Sequence, residues 1–175
     1  MPGKTPREAV KAYLEPLQKN VAIVCNGVLR VNNYDKLDEI SVLTLESVPL
    51  NGRPDLYLSF IQQYKIVKDP EHGPYRVKTL YYSYAIETPD ADEIVGYHWH
   101  PEGVSPIKAP HLHLGPAALI GRQELSRKAH FPTGRIAFED VVEFLITSFE
   151  VEPDRPLWQE LVERTRSLFA KHKTW

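Results

Sequence analysis

Cysteine and methionine are nearly missing from this chain of 175 residues, which contains one of each. The single cysteine, Cys25, excludes an intramolecular disulfide bond and is typical of proteins from a reducing compartment. Because Ile23 and Val24 precede it, we predict a small buried side chain at Cys25 rather than a reactive thiol. A disulfide-stabilised secreted domain and a thiol enzyme are therefore not expected.

The chain also lacks a strong net charge and a long apolar run. A formal charge of −2 and an isoelectric point near 6.4 give no global sign of a nucleic-acid or membrane partner. No segment approaches the roughly 20 apolar residues of a spanning helix, and the opening MPGKTPREAV lacks the apolar core of a signal peptide. We therefore expect a cytoplasmic protein that does not associate with membranes.

What the chain has is enough apolar material for a core. Hydrophobic residues make up 42% of its length, which predicts one globular α+β domain over residues 1–175. Within it we distinguish an N-terminal helix and strands over 1–70, a histidine-bearing core over 71–135, and C-terminal helices over 136–175.

The N-terminal part predicts one helix followed by strands. The Thr5-Pro6 pair is typical of a helix start, and apolar spacing carries the helix over residues 6–19, where Pro16 interrupts or ends it. The Asn-Gly pair at residues 26–27 predicts a two-residue hairpin. The predicted strand segments, each bounded by turn residues, are 21–32, 39–48, 55–67 and 75–88.

After residue 136 the pattern becomes helical. Apolar residues recur at a spacing of about 3.6 from Phe138 to Phe149, and a second helix is predicted from near Pro156. Residues 136–163 carry eight acids against one base, and we expect these acids, including Glu139, to form a solvated face. The order of elements predicts an antiparallel meander sheet of about six strands, covered on one face by the N-terminal helix and two C-terminal helices.

Four of the seven histidines form two His-x-His pairs, His98 with His100 and His111 with His113. Side chains alternate faces along a strand, so each pair points its two imidazoles the same way, roughly 6.6 Å apart along the backbone. The intervening residues 101–110 contain three prolines and cannot continue a central strand. If the two histidine strands pair, all four rings share one surface.

Such a surface could hold a metal ion, because neutral imidazole is the commonest metal ligand. A catalytic zinc site usually adds a carboxylate and keeps one position open, and Glu87 and Glu102 are the candidate carboxylates. A divalent ion such as Zn²⁺ is then the predicted cofactor, with the four histidines of the two pairs as its ligands.

The same histidines, His98, His100, His111 and His113, could instead cleave a phosphodiester bond as catalytic acid and base without a metal. Residues 105–135 carry five cations against one acid. The cations predicted to bind substrate and stabilise its phosphate are Lys108, Arg127, Lys128 and Arg135, and Tyr84 or Tyr97 could stack on bases. A further alternative is a non-catalytic surface that binds a metal or a protein partner.

Four motifs occur in order along the chain: YYSYAIE (81–87), EIVGYHWHPE (93–102), PHLHLG (110–115) and GRIAFEDVVEFLI (134–146). Together they resemble the TumE-like family of toxin-antitoxin proteins over roughly residues 76–150. The resemblance implies a toxin encoded beside a DNA-binding antitoxin, with RNA as the expected target. It also implies functional roles for the four histidines, with Tyr82 and Tyr84 beside them.

Two features differ from the family pattern. The segment 95–97 replaces an arginine-containing lead-in to the first pair, so one cation that could bind phosphate is absent. The first 70 residues add a helix and strands whose apolar alternation could build a dimer edge. We therefore expect an RNA-directed hydrolase that pairs with an antitoxin protein or with a second copy of itself.

Overall fold

The computed structural model describes residues 2–70, 73–102, 105–120 and 129–172. The helices are α1 (Pro6–Val24), α2 (Phe138–Phe149) and α3 (Trp158–His172), with a short 3₁₀ helix at Pro116–Leu119. The strands are β1 (Pro2–Gly3), β2 (Arg30–Val31), β3 (Ser41–Leu50), β4 (Arg53–Asp69), β5 (Gly73–Glu87), β6 (Glu93–Trp99), β7 (His111–Leu114) and β8 (His130–Pro132).

All strands belong to one antiparallel sheet, in which β2 to β8 follow one another in chain order and β1 pairs with the start of β5. The predicted α+β meander is therefore confirmed. Over the described residues the sheet has eight strands rather than the predicted six or so. The strands that were not predicted, β1 and β8, are two or three residues long, too short to give an alternating pattern.

The three helices pack against one face of the sheet, as predicted. Phe60 of β4 lies at the centre of this core, in contact with Tyr84 of β5 and edge-on to Phe138 of α2. Alternation along the strands sends every second side chain to this face and the rest to the opposite one. Among the described residues no helix is both long and apolar enough to span a membrane.

Helix α1 is longer than predicted. It is capped by Thr5, whose side chain accepts a hydrogen bond from the Glu8 amide, and it continues through Pro16 to Val24. The hairpin predicted at residues 26–27 is therefore wrong, and of the strand predicted over 21–32 only Arg30–Val31 is a strand. Burial of Val21 and Val24 in the core outweighs the hydrogen bond that Pro16 removes. The prediction for the cap residue Cys25 is confirmed: it is 2% exposed, and burial raises the pKa of its thiol to about 11.

One predicted surface acid lies inside the protein. Glu139 of α2 is 2% exposed, facing Asn20 of α1 and Thr165 of α3. The Asn20 amide donates to Glu139 Oε1 at 3.3 Å and to Thr165 Oγ1 at 2.8 Å. Burial raises the pKa of Glu139. The expectation of a solvated acidic face is wrong at this position, since Glu139 lies on the apolar side of α2 with Phe138 and Val142.

Candidate metal centre

The register of the strands brings the histidines together. His98 of β6 lies directly opposite His111 of β7, and His113 lies opposite His130 of β8. The ring centroids are 5.6 Å apart for His98 and His111, 5.2 Å for His100 and His111, and 4.7 Å for His111 and His130. The two pairs thus share one face, as predicted. The histidine cluster, defined as His98, His100, His111, His113 and His130, also includes a ring that lies outside both sequence pairs.

Three members of the cluster form the metal trio: His98, His100 and His111. One ring nitrogen from each lies within 4.8 Å of the others. Zinc–nitrogen bonds of about 2.0–2.1 Å place two ligands of a tetrahedral ion about 3.4 Å apart, so small ring rotations would close the trio on an ion. The donor set and its geometry could hold a metal.

His111 is the innermost of these ligands, at 1% exposure. Its Nδ1 lies 2.9 Å from the Ala109 carbonyl oxygen. Because a carbonyl can only accept, Nδ1 carries the proton and Nε2 presents a lone pair. That Nε2 is buried and has no hydrogen-bond partner within the described part of the chain. Burial, together with the neighbouring imidazoles of His98, His100 and His130, lowers the pKa of His111 and favours the neutral form that binds metals.

A carboxylate absent from the predicted site lies against the cluster. Glu93 Oε1 is 2.6 Å from His113 Nδ1, and Oε2 is 3.4 Å from His98 Nε2. Burial alone would raise the pKa of Glu93, but the hydrogen bonds to His98 and His113 outweigh it and the pKa is lowered. Glu93 is the carboxylate that the sequence reasoning missed.

Strand parity explains that omission. Glu93 is an odd number of positions from His98, so regular alternation would place the two on opposite faces. A register shift at the start of β6, where Glu93 pairs with Glu87, returns the side chain to the histidine face. The predicted carboxylates are not at the trio: Glu87 accepts hydrogen bonds from Ser47 and Ser59, and Glu102 is exposed beside His100.

Gly96 makes room for this arrangement. It lies opposite His113 in the register. A Cβ atom at this position would meet Glu93 Oε2 at 2.6 Å and His98 Nε2 at 2.7 Å. The absence of a side chain therefore allows the carboxylate and the two imidazoles to approach one another.

The predicted substrate-binding residues are divided among several places. The predicted substrate-binding role of Tyr84 is wrong. Tyr84 is 2% exposed on the helix-covered face, where Gln62 donates a hydrogen bond to its hydroxyl at 2.6 Å. It cannot reach a ligand on the histidine face. Tyr97 also faces the helices, with its ring against Phe144. Side chains alternate between the two faces along β6, so Tyr97 lies on the face opposite to His98. Tyr84 pairs directly with Tyr97 and shares its face.

The predicted cations also differ in position. The Arg135 guanidinium lies over the Trp99 ring at 3.6 Å and lines a groove beside His100. Lys108 is exposed in the connection between β6 and β7. Arg127 and Lys128 lie outside the described residues.

Comparison with models of protein families, with curated proteins and with solved structures finds no match to this chain. The likeness to TumE-like toxins therefore rests on the four sequence motifs alone. A function has to be inferred from the donor atoms of the histidine cluster, their burial and the charges around them.

Proposed function

We propose that this protein is a metal-dependent hydrolase that cleaves phosphodiester bonds in RNA, with a divalent ion bound by the metal trio. One observation carries the proposal. The imidazoles of His98 in β6, His100 just after β6 and His111 in β7 bring ring nitrogens within 4.8 Å of one another. The buried Nε2 of His111 has no hydrogen-bond partner in the described part of the chain. A buried lone pair with no donor is costly unless a water or an ion meets it.

The donor set fits zinc or a similar ion. His98, His100 and His111 would hold the ion, which would supply Lewis-acid activation of a water molecule and of a phosphoryl oxygen. The carbonyl of Ala109 fixes the tautomer of His111, which is the second-sphere contact that orients a metal-binding histidine.

His113 and Glu93 supply the proton transfer. The Glu93 carboxylate accepts from His113 Nδ1, so the neutral ring carries its proton on Nδ1 and its lone pair on Nε2, the tautomer that a general base requires. The carboxylate then stabilises the imidazolium that forms. This pair has the arrangement of a general base held by an orienting acid.

The burial of His111 favours the metal scheme over the metal-free one. A catalytic acid or base must come within about 2.6–3.2 Å of the substrate atom that it serves, and a ring that is 1% exposed lies behind its neighbours. His98 and His100 are more exposed than His111. The role that suits His111 is therefore a ligand.

The toxin assignment follows from the motif resemblance and stays a prediction. It expects growth inhibition in cells, relief by a DNA-binding antitoxin protein, and an RNA substrate. A homodimer through the N-terminal strands is a separate expectation.

Elemental analysis of protein purified without an affinity tag tests the proposal. We expect about one divalent ion per chain in the wild type, and loss of that ion in His98→Ala and His111→Ala. His172→Ala, at the end of α3 and outside the cluster, is the matched histidine control and should keep the ion. Incubation with total RNA should give cleavage that a chelator abolishes and that zinc restores.

Two outcomes would contradict the proposal. If His98→Ala and His111→Ala keep the wild-type metal content, the trio is not the site. If the metal is present and lost as expected but RNA stays intact, the protein is the non-catalytic metal-binding domain that the sequence left as an alternative.

A further inference from the structure

A groove of about 690 Å³ opens on the histidine face, directly beside the metal trio. His100 belongs to both, since it is one of the trio and also lines the groove. Three cations contribute to the walls, Lys65, Lys78 and Arg135, against one acid, Glu102. The volume lies within the roughly 300–1,000 Å³ that is typical of ligand sites.

Two of these cations are neighbours on adjacent strands, and no acidic side chain among the described residues neutralises their charges. Lys65 of β4 and Lys78 of β5 are direct cross-strand partners, and like charges in that position destabilise a sheet. In the ranges that the structure describes, neither lysine forms an ion pair. An anion held between the two ammonium groups would remove the repulsion.

Aromatic and amide groups complete the groove. The Tyr81 ring is half-buried and stacks on the His100 ring with centroids 6.4 Å apart and planes at 29°. Gln63 lies directly opposite Tyr81 in the register and also lines the groove. Arg135, held over the Trp99 ring, adds a third positive charge to the groove lining. A flat ring beside several cations is the combination that binds single-stranded nucleic acid, through base stacking and phosphate contacts.

We propose that this groove binds the strand of a single-stranded RNA next to the bond that is cleaved. Lys65 and Lys78 hold a backbone phosphate, Tyr81 stacks on a base, and His100 marks the point where the strand passes to the metal trio. The inference names the substrate subsite of the proposed hydrolase and in that sense rests on the proposed function. Binding itself is measured without catalysis.

Fluorescence anisotropy with an end-labelled oligoribonucleotide, in the presence of a chelator, tests the groove. In the Lys65→Ala/Lys78→Ala double variant we expect affinity to fall at least about 10-fold and the salt dependence to become shallower by about two phosphate contacts. Tyr81→Ala should weaken binding by about 10-fold with an unchanged salt slope. A duplex of the same sequence should bind at least about 10-fold more weakly than the single strand, since stacking needs splayed bases.

The controls separate charge from folding. Lys65→Arg/Lys78→Arg keeps both charges and should bind as the wild type does. Lys19→Ala/Lys36→Ala removes two lysines that are already paired with Glu15 and Glu39, and should leave affinity unchanged. Metal content must stay at the wild-type level in the Lys65→Ala/Lys78→Ala variant, because neither lysine is a ligand.

The outcomes distinguish the two proposals. Wild-type affinity in the Lys65→Ala/Lys78→Ala variant, or equal competition by inorganic phosphate alone, overturns the groove even if metal and RNA cleavage are found. Oligoribonucleotide binding that depends on both lysines supports the groove even if no metal is found, in which case the hydrolase proposal fails alone.

Discussion

The two faces of β6 show how one strand serves two purposes. Val95 and Trp99 point toward the helices and are buried, whereas His98, and His100 just after the end of the strand, point the other way and stay partly accessible. Between them lies Gly96, without which the carboxylate of Glu93 could not reach the imidazoles. Fold stability and site chemistry therefore alternate residue by residue along the same backbone.

The forces on the two faces differ in kind. On the helix-covered face, aromatic rings pack at centroid distances of 4.8 Å for Tyr82 and Tyr84 and 5.1 Å for Phe60 and Phe138. This packing depends little on pH or on a metal. On the histidine face, imidazoles gather at similar distances but repel one another once protonated. Damage to one face should therefore leave the properties of the other largely intact.

The strongest test of this separation removes a ring from the core. Phe138→Ala should lower the free energy of unfolding by about 3–5 kcal/mol, because the ring is 1% exposed and contacts Phe60 and Tyr84. The free energy of unfolding should still rise on addition of zinc, as we expect for the wild type. Urea denaturation with and without zinc measures both quantities.

The matched control for that variant is Phe131→Ala on β8. Phe131 is 41% exposed, so its removal should change the free energy of unfolding by no more than about 0.5 kcal/mol. A Phe138→Ala protein that folds stably but no longer responds to zinc would show that the two faces are coupled.

A smaller effect is expected from a methyl group added on the histidine face. Gly96→Ala should displace Glu93 and His98 and weaken metal binding by about 10- to 100-fold, the usual cost of disturbing groups that orient ligands. That corresponds to about 1.4–2.7 kcal/mol of binding free energy. Isothermal titration with zinc gives the value.

Gly134→Ala provides the comparison, since a Cβ there meets nothing within 4 Å. It should bind zinc as the wild type does. Equal affinities of Gly96→Ala and Gly134→Ala would mean that the contact between Glu93 and the imidazoles does not support the metal site.

The smallest expected effect concerns Glu139, the buried acid on the helix-covered side of the sheet. Because the folded protein raises the pKa of Glu139 above its ordinary 4.5, it holds that proton more tightly than the unfolded chain does. The resulting stabilisation is present below pH 4.5 and is lost as the pH rises through the raised pKa. Glu139→Gln should therefore gain stability relative to the wild type as the pH rises from acid to neutral, in urea denaturation at several pH values.

Glu160→Gln on α3 is the control for that titration, because Glu160 is exposed. It removes one surface carboxylate, and the gain in stability with rising pH should be larger in Glu139→Gln than in this variant. A Glu139→Gln curve parallel to the wild type across the same range would show that folding does not raise the pKa of Glu139.

Alternation and spacing predicted much of this structure. The strands that carry His98, His100, His111 and His113, and the shared face, follow from a period of two residues that the sequence displays directly. The apolar stripe of α2 follows in the same way from a period of about 3.6. These features depend on residues that are close in sequence, which is why they are visible before the fold is known.

The remaining features depend on partners that are distant in sequence. Glu93 reaches His113 only through an irregular strand start, and Glu139 is buried only because Asn20 and Thr165 come from other helices. The juxtaposition of Lys65 with Lys78 requires the register of β4 on β5, which contains a bulge between Gln63 and Tyr64. No local pattern contains that information.

The direct pairing of His98 with His111 also bears on the motion of the sheet edge. An ion bound to both side chains would cross-link β6 to β7 in addition to their backbone hydrogen bonds. In the described part of the chain the sheet ends beyond β7 with the three-residue β8, and such a short edge is the part of a sheet that opens first. Bound metal would therefore slow hydrogen exchange at the amides of β7 and leave the exchange rates in β3 to β5 unchanged. The ion would reversibly stabilise this edge of the sheet.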